Sequence, residues 1–156
     1  MPLPLTWKME REGGSSRAVL SGEFSEDADF ASLLAMATNP LELDLAGIER
    51  VTSCGVREWL IFMKAAEKQG RRIVLERCSP VIVQQANMIS NFLGACEVRS
   101  VQLPYFCDSC RKERTLLREL GGKPPEPPEK TATCPDCGGQ MEFDDLAGTY
   151  FEFLHV

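Results

Sequence analysis

Four of the seven cysteines fall into two pairs of identical spacing, Cys107 with Cys110 and Cys134 with Cys137. Two intervening residues let one tight turn aim both sulfurs at a common point, with backbone amides directed at them. Two such knuckles supply four soft donors in a closed tetrahedral shell, the arrangement that suits a structural Zn2+. Within CPDCGG, Pro135 presets the turn and Gly138 provides a residue for positive φ just past the last ligand. The gap of 23 residues between the pairs exceeds the usual range of about 15–20. A proline-rich run over 121–130, GGKPPEPPEK, reads as an extended, solvated loop that absorbs the excess. Loop length is cheap, since each doubling adds only about 0.6 kcal/mol of closure entropy.

The same four ligands would also serve an iron–sulfur centre. Four buried free cysteines and a redox dithiol are the other readings, but CDSC and CPDC lie outside the strand–helix context that makes dithiols reactive. The single histidine, His155, reads as an ordinary tail residue, because the four cysteines already fill the shell. A catalytic zinc would need an open position.

The chain has 156 residues, 44% apolar and 26% charged, enough for one domain of about 100 residues plus a small module. Its net charge is −6. Residues 104–156 hold six Lys or Arg against ten Asp or Glu, so even the cysteine-rich part is acidic. That disfavours nucleic acid and anionic lipid as partners, since both require clustered basic residues. No apolar run approaches the roughly 18 residues of a membrane span, and the first residues lack the apolar core of a signal peptide. A cytoplasmic location is therefore expected. The isolated Cys54, Cys78 and Cys96 read as buried free thiols, in keeping with a reducing compartment.

The elements that must carry these residues follow from periodicity. Segments 5–12 and 17–24 are extended and flank Gly13-Gly14-Ser15, a hairpin signal. Ser25 and Asp27 offer caps for a helix near 27–38, which Asn39-Pro40 ends. Glu23, Glu26, Asp27 and Asp29 there read as solvated residues suited to the helix dipole. In 41–48, Leu41, Leu43 and Leu45 face one way and Glu42 and Asp44 the other, as in a strand. Val56, Trp59, Leu60, Met63 and Ala66 trace one stripe of a helix over 54–69, with Gly70 at its stop. A strand at 71–77 precedes a helix opened by Ser79-Pro80, with Ile82, Ala86, Ile89 and Leu93 on one face and Gly94 at its end. A strand over 97–103 closes the first unit. The fold expected is α/β: a mixed, largely parallel sheet with right-handed crossovers over 1–103, then a four-cysteine zinc ribbon over 104–156 ending in a short helix.

The segment LELDLAGIERVTSCGVREWLIFMKAAEKQGRRIVLERCSP resembles the STAS domain, the fold of bacterial anti-sigma factor antagonists and of the cytoplasmic tails of sulphate transporters. Leu41–Leu45 match its core strand. Ser53-Cys54-Gly55 match the S-x-G that opens a helix, Gly70 and Arg72–Leu75 match the next strand, and Ser79-Pro80 matches the third helix opening. The likeness covers about residues 5–103. It implies that Ser53 is the residue a partner anti-sigma kinase phosphorylates, and that the partner binds only the unphosphorylated form. Thr52 stands where the family has Asp, which removes a charge beside the serine and offers a second hydroxyl.

Electrostatics fits this implication. Phosphate at a helix N-terminus meets positive dipole, and about −1.5 to −2 of added charge would block docking. A capping hydroxyl, worth about 1 kcal/mol, is the simpler role for Ser53. The expected function is a non-enzymatic signalling module that binds an anti-sigma factor, a serine kinase or another STAS protein, with a structural zinc ribbon extending its surface. The alternatives are a ribbon acting as a nucleic-acid or transcription-machinery adaptor, and a STAS scaffold that is not phosphorylated. For the adaptor, the basic run Arg111, Lys112 and Arg114 is interrupted by Glu113, and Tyr105 and Phe106 read as packing the ribbon core. No nucleophile–base set or glycine-rich phosphate loop is present in the sequence. Without metal the module is expected to unfold while residues 5–103 keep their fold.

Overall fold

A computed structural model describes residues 3–122 and 124–154. His155 lies outside these residues.

The chain opens with the expected hairpin, β1 (Thr6–Glu12) and β2 (Ser15–Phe24). Then follow α1 (Phe30–Met36), β3 (Leu41–Val51), α2 (Ser53–Lys68), β4 (Ile73–Glu76), α3 (Pro80–Met88) and β5 (Glu97–Val98). These five strands form one mixed sheet in the order β1-β2-β3-β4-β5. Only β1 runs antiparallel to its neighbour, as strands alternating with helices demand.

The alternation of β3 sets the two faces of this sheet. Leu41, Leu43 and Leu45 are fully buried and join Ala18, Leu20 and Leu75 under the helices. Trp59 is central there. It stacks on Phe24 and Phe92, and its indole N–H donates to the Phe92 carbonyl at 2.8 Å. The opposite face is covered by ion pairs. Arg17 reaches Asp44 at 2.9 Å and Glu76 at 3.3 Å, and Arg99 reaches Glu42 at 2.9 Å.

The second sheet has the order β7-β6-β9-β8, built from β6 (Ser100–Cys107), β7 (Lys112–Glu119), β8 (Thr131–Thr133) and β9 (Gln140–Phe143). All its pairings are antiparallel. It is docked on the first sheet. Cys78 N–H donates to the Ser100 carbonyl, and Gln102 N–H donates back to the Cys78 carbonyl. Val101, Leu103 and Tyr105 share one buried cluster with the core of the first sheet.

Several elements differ from the sequence expectation. The first helix begins at Phe30 because Asp29, not Ser25 or Asp27, caps it by accepting from Ser32 N–H; Glu23 is buried rather than solvated. The third helix stops at Met88, where Ile89 turns extended; this frees Phe92 to fold under Trp59. The strand expected over 97–103 is divided: 97–98 completes the first sheet and Ser100 starts the second. The C-terminal helix is instead two 3-10 turns, Ala147–Thr149 and Glu152–Leu154. Asn87 of α3 takes up the backbone there, donating to the Tyr150 carbonyl at 3.0 Å and accepting from Phe153 N–H at 2.8 Å. Groups that a helix would pair internally are thus satisfied from outside. The proline-rich run is extended but not wholly solvated: Pro128 is buried, and Tyr105 Oη donates to the Glu129 carbonyl at 2.7 Å. Among the described residues no helix is long and apolar enough to cross a membrane.

Candidate metal centre

The two knuckles sit at the tips of two hairpins. Cys107 ends β6, Cys110 lies in the turn to β7, and Cys134 and Cys137 lie between β8 and β9. Both turns close alike. Arg111 N–H donates to the Cys107 carbonyl at 2.8 Å, and Gly138 N–H donates to the Cys134 carbonyl at 3.0 Å. The donor of each bond takes positive φ, 61° at Arg111 and 74° at Gly138. Glycine was legible at the second turn; at the first, an arginine holds the same left-handed conformation. Gly139 serves differently. A Cβ there would stand 2.5 Å from Ser109 Oγ and 3.3 Å from Cys137 Sγ, so a side chain at 139 would displace the Ser109 side chain between the knuckles.

Because β6 pairs with β9, Cys107 lies opposite Met141, and the two turns face one another. The four sulfurs come within 4.8 Å of each other. Cys107 and Cys137 are 3.4 Å apart, and Cys110 and Cys134 are 3.9 Å apart. Four thiolates about 2.3 Å from one metal would be about 3.8 Å apart in a tetrahedron. The cluster can hold a metal ion. Cys107 and Cys134 are buried, Cys110 is half-buried and Cys137 is exposed.

Backbone amides prepare two of the sulfurs for the anionic state. The Cys110 amide aimed at Cys107 lowers that thiol, and the Cys137 and Asp136 amides bring Cys134 down to about 6. Charge sharing raises the other two. Hydrogen bonding with Cys107 pushes Cys110 up to about 12. At Cys137 the Gly139 amide pulls down, Cys107 pushes up, and the net shift is upward.

Two neighbours of the cluster escaped the sequence reading. Arg114, one of the basic run in the sequence, forms an ion pair with Asp136 inside the second knuckle. Neither the register of β7 nor the facing of the knuckles can be read from one segment. Of the two aromatics before the first knuckle, Tyr105 packs inward as expected. Phe106 falls on the other face of the strand, half-buried beneath Arg111, whose guanidinium lies 5.8 Å from the ring centre.

The β3–α2 loop holds the remaining predicted residues. Thr52, not Ser53, caps α2: its hydroxyl accepts from Gly55 N–H at 3.0 Å and contacts the Phe24 carbonyl at 3.3 Å. Ser53 and Cys54 are exposed. Cys54 is therefore not the buried thiol expected, because it lies in the first turn of α2 away from the Gly55–Trp59 face. Of the three isolated cysteines, Cys96 is half-buried and Cys78 alone is fully enclosed.

No protein-family model matches this chain, and no curated protein matches it either.

Proposed function

We propose that this protein is a non-enzymatic signalling module in which a STAS-like sheet presents Ser53 to a partner protein. A docked four-cysteine ribbon, held by zinc, braces that sheet and widens its surface. The single observation that carries the reading is the division of labour at the start of α2. Thr52 takes the cap and commits its hydroxyl, while Ser53 stands exposed on the first turn of a 16-residue helix. Phosphate on Ser53 would meet the positive end of the helix without breaking the cap. Phosphate on Thr52 would destroy the cap, so Ser53 is the acceptor of the pair. The partner is an anti-sigma factor, a serine kinase or another STAS protein, encountered in the cytoplasm. Four thiolates in a closed shell favour zinc in a structural role. The basic run gives nucleic acid little to bind, since Arg114 is held by Asp136.

The test compares pull-downs from the source cell using wild type, Ser53→Ala and Ser53→Asp, together with phosphate mapping after incubation with the cell's serine kinases and ATP. Capture of one partner by wild type and Ser53→Ala, lost with Ser53→Asp, is expected. Unmodified Ser53 and equal capture by all three forms would refute the switch.

A further inference from the structure

The metal site lies in the more acidic part of the chain, yet four thiolates around a divalent ion carry a formal charge of about −2. Such a centre is more stable where a fixed cation sits beside it. Arg114 is placed for that. It stands opposite Tyr105 in the β6–β7 ladder, two residues along the strand from Cys107, so it shares the face that leads to the sulfurs. Its guanidinium crosses from the first hairpin to Asp136, between the two cysteines of the second knuckle. Three-quarters of its side chain is shielded from solvent, whereas Asp136 is largely exposed.

One further observation points past Asp136. The Arg114 Nε is enclosed and has no hydrogen-bond partner. A buried guanidinium N–H without an acceptor is unfavourable, and the Cys134 sulfur is within hydrogen-bonding reach of the same side chain. Burial works against the Arg114 charge, but Asp136, followed by Cys134 and Cys110, more than offsets it, and its pKa is raised.

We infer that Arg114, oriented by Asp136, is a positioning residue of the metal centre that compensates the charge of its thiolates and raises its affinity for metal. This rests on the metal-site reading above. A plain surface ion pair would add at most a small increment to folding stability and would leave metal affinity alone. Partners of this kind around metal ligands typically contribute 10–100-fold in affinity.

The experiment measures zinc affinity of the full chain by competition with a chromophoric chelator, and the sulfur-to-metal charge-transfer band of the cobalt(II)-substituted chain. Arg114→Leu should bind zinc 10–100-fold more weakly and shift that band. Arg114→Lys should recover part of the affinity, and Asp136→Asn should weaken binding in the same direction. Lys130→Gln is the control, because it removes an exposed charge next to the same sheet at a position outside both knuckles; its affinity should stay within about twofold of wild type. Circular dichroism in excess zinc reports that each variant is folded. If Arg114→Leu does not fold, Arg114→Lys and Asp136→Asn carry the test. Wild-type affinity in the Arg114 variants, or an equal loss in Lys130→Gln, overturns the inference while leaving the metal site standing. A wild-type chain that takes up no stoichiometric metal overturns both.

Discussion

Gly55 is the residue on which the helix carrying Ser53 depends, and replacing it with alanine tests that dependence. A Cβ at position 55 would lie 1.9 Å from the Phe24 carbonyl oxygen and 2.3 Å from its carbon. An ordinary carbon–oxygen contact is about 3.3 Å or more, so the start of α2 must withdraw by about 1.4 Å. The obstacle is backbone and cannot swing aside. That same carbonyl accepts Thr52 N–H at 2.9 Å and meets the Thr52 hydroxyl, so withdrawal also breaks the tie between β2 and α2. Strain of about 1–3 kcal/mol and a lost hydrogen bond of about 1 kcal/mol oppose a gain of at most about 1 kcal/mol from alanine's helix propensity. The losses win by about 1–3 kcal/mol. For a chain of this size that lowers Tm by roughly 2–12 °C. Urea melts followed by circular dichroism should show an earlier midpoint with unchanged slope. Gly121→Ala, where a Cβ meets nothing within 4 Å, should stay within about 0.5 kcal/mol. Wild-type stability in Gly55→Ala would refute the reasoning.

Thiol counting gives a second test. At pH 8 the zinc-loaded native chain should show one fast thiol, the exposed Cys54; a strong chelator should release the four ligands, and guanidinium should expose all seven. Burial pushes Cys96 up to about 12 and Cys78 further still. A raised thiol contributes stability that is complete below the unfolded value of about 8.5 and is lost as pH rises toward the folded value. Cys96→Ala should therefore flatten the alkaline fall in stability above about pH 8.5, and a native Cys96 reacting as fast as Cys54 would contradict its burial. Removing metal should raise hydrogen exchange in α3 as well as in β6–β9, because Asn87 and Cys78 bond to the second sheet and its tail. Protection unchanged throughout 80–88 after chelation would show that the two sheets are energetically independent.

Patterns that depend on one segment were legible in the sequence. The leucines of β3, the stripe of α2 and the paired cysteines each encode their role locally, through a period or a spacing. What failed to show needed a second segment. Thr52 and Ser53 are both good caps, and the Phe24 carbonyl chooses between them. Ile89 and Leu93 continue the helical period of α3, yet the chain leaves the helix at Met88 because Phe92 fills the place beneath Trp59. The tail carries both helical and alternating signals, and Asn87 on a distant helix decides against each. Arg114 looked like one member of a basic run until strand register set it beside Asp136.

The candidate metal site is tied to the rest of the fold through β6. A ribbon joined by a linker could unfold without consequence for the sheet before it. Here β6 starts at Ser100, while Cys78, two residues past β4, exchanges backbone bonds with both Ser100 and Gln102. Tyr150, nearly fully buried, donates to the Gln102 carbonyl at 2.6 Å. Val101 and Leu103 are as enclosed as the leucines of β3. The strand that ends at Cys107 thus begins within the first 103 residues. A metal held by the four cysteines would fix Cys107 at the end of a strand whose other end is core, and its removal is expected to loosen β4 and α3 through β6. A structural ion held there would stabilise the sheet that carries Ser53 without touching it.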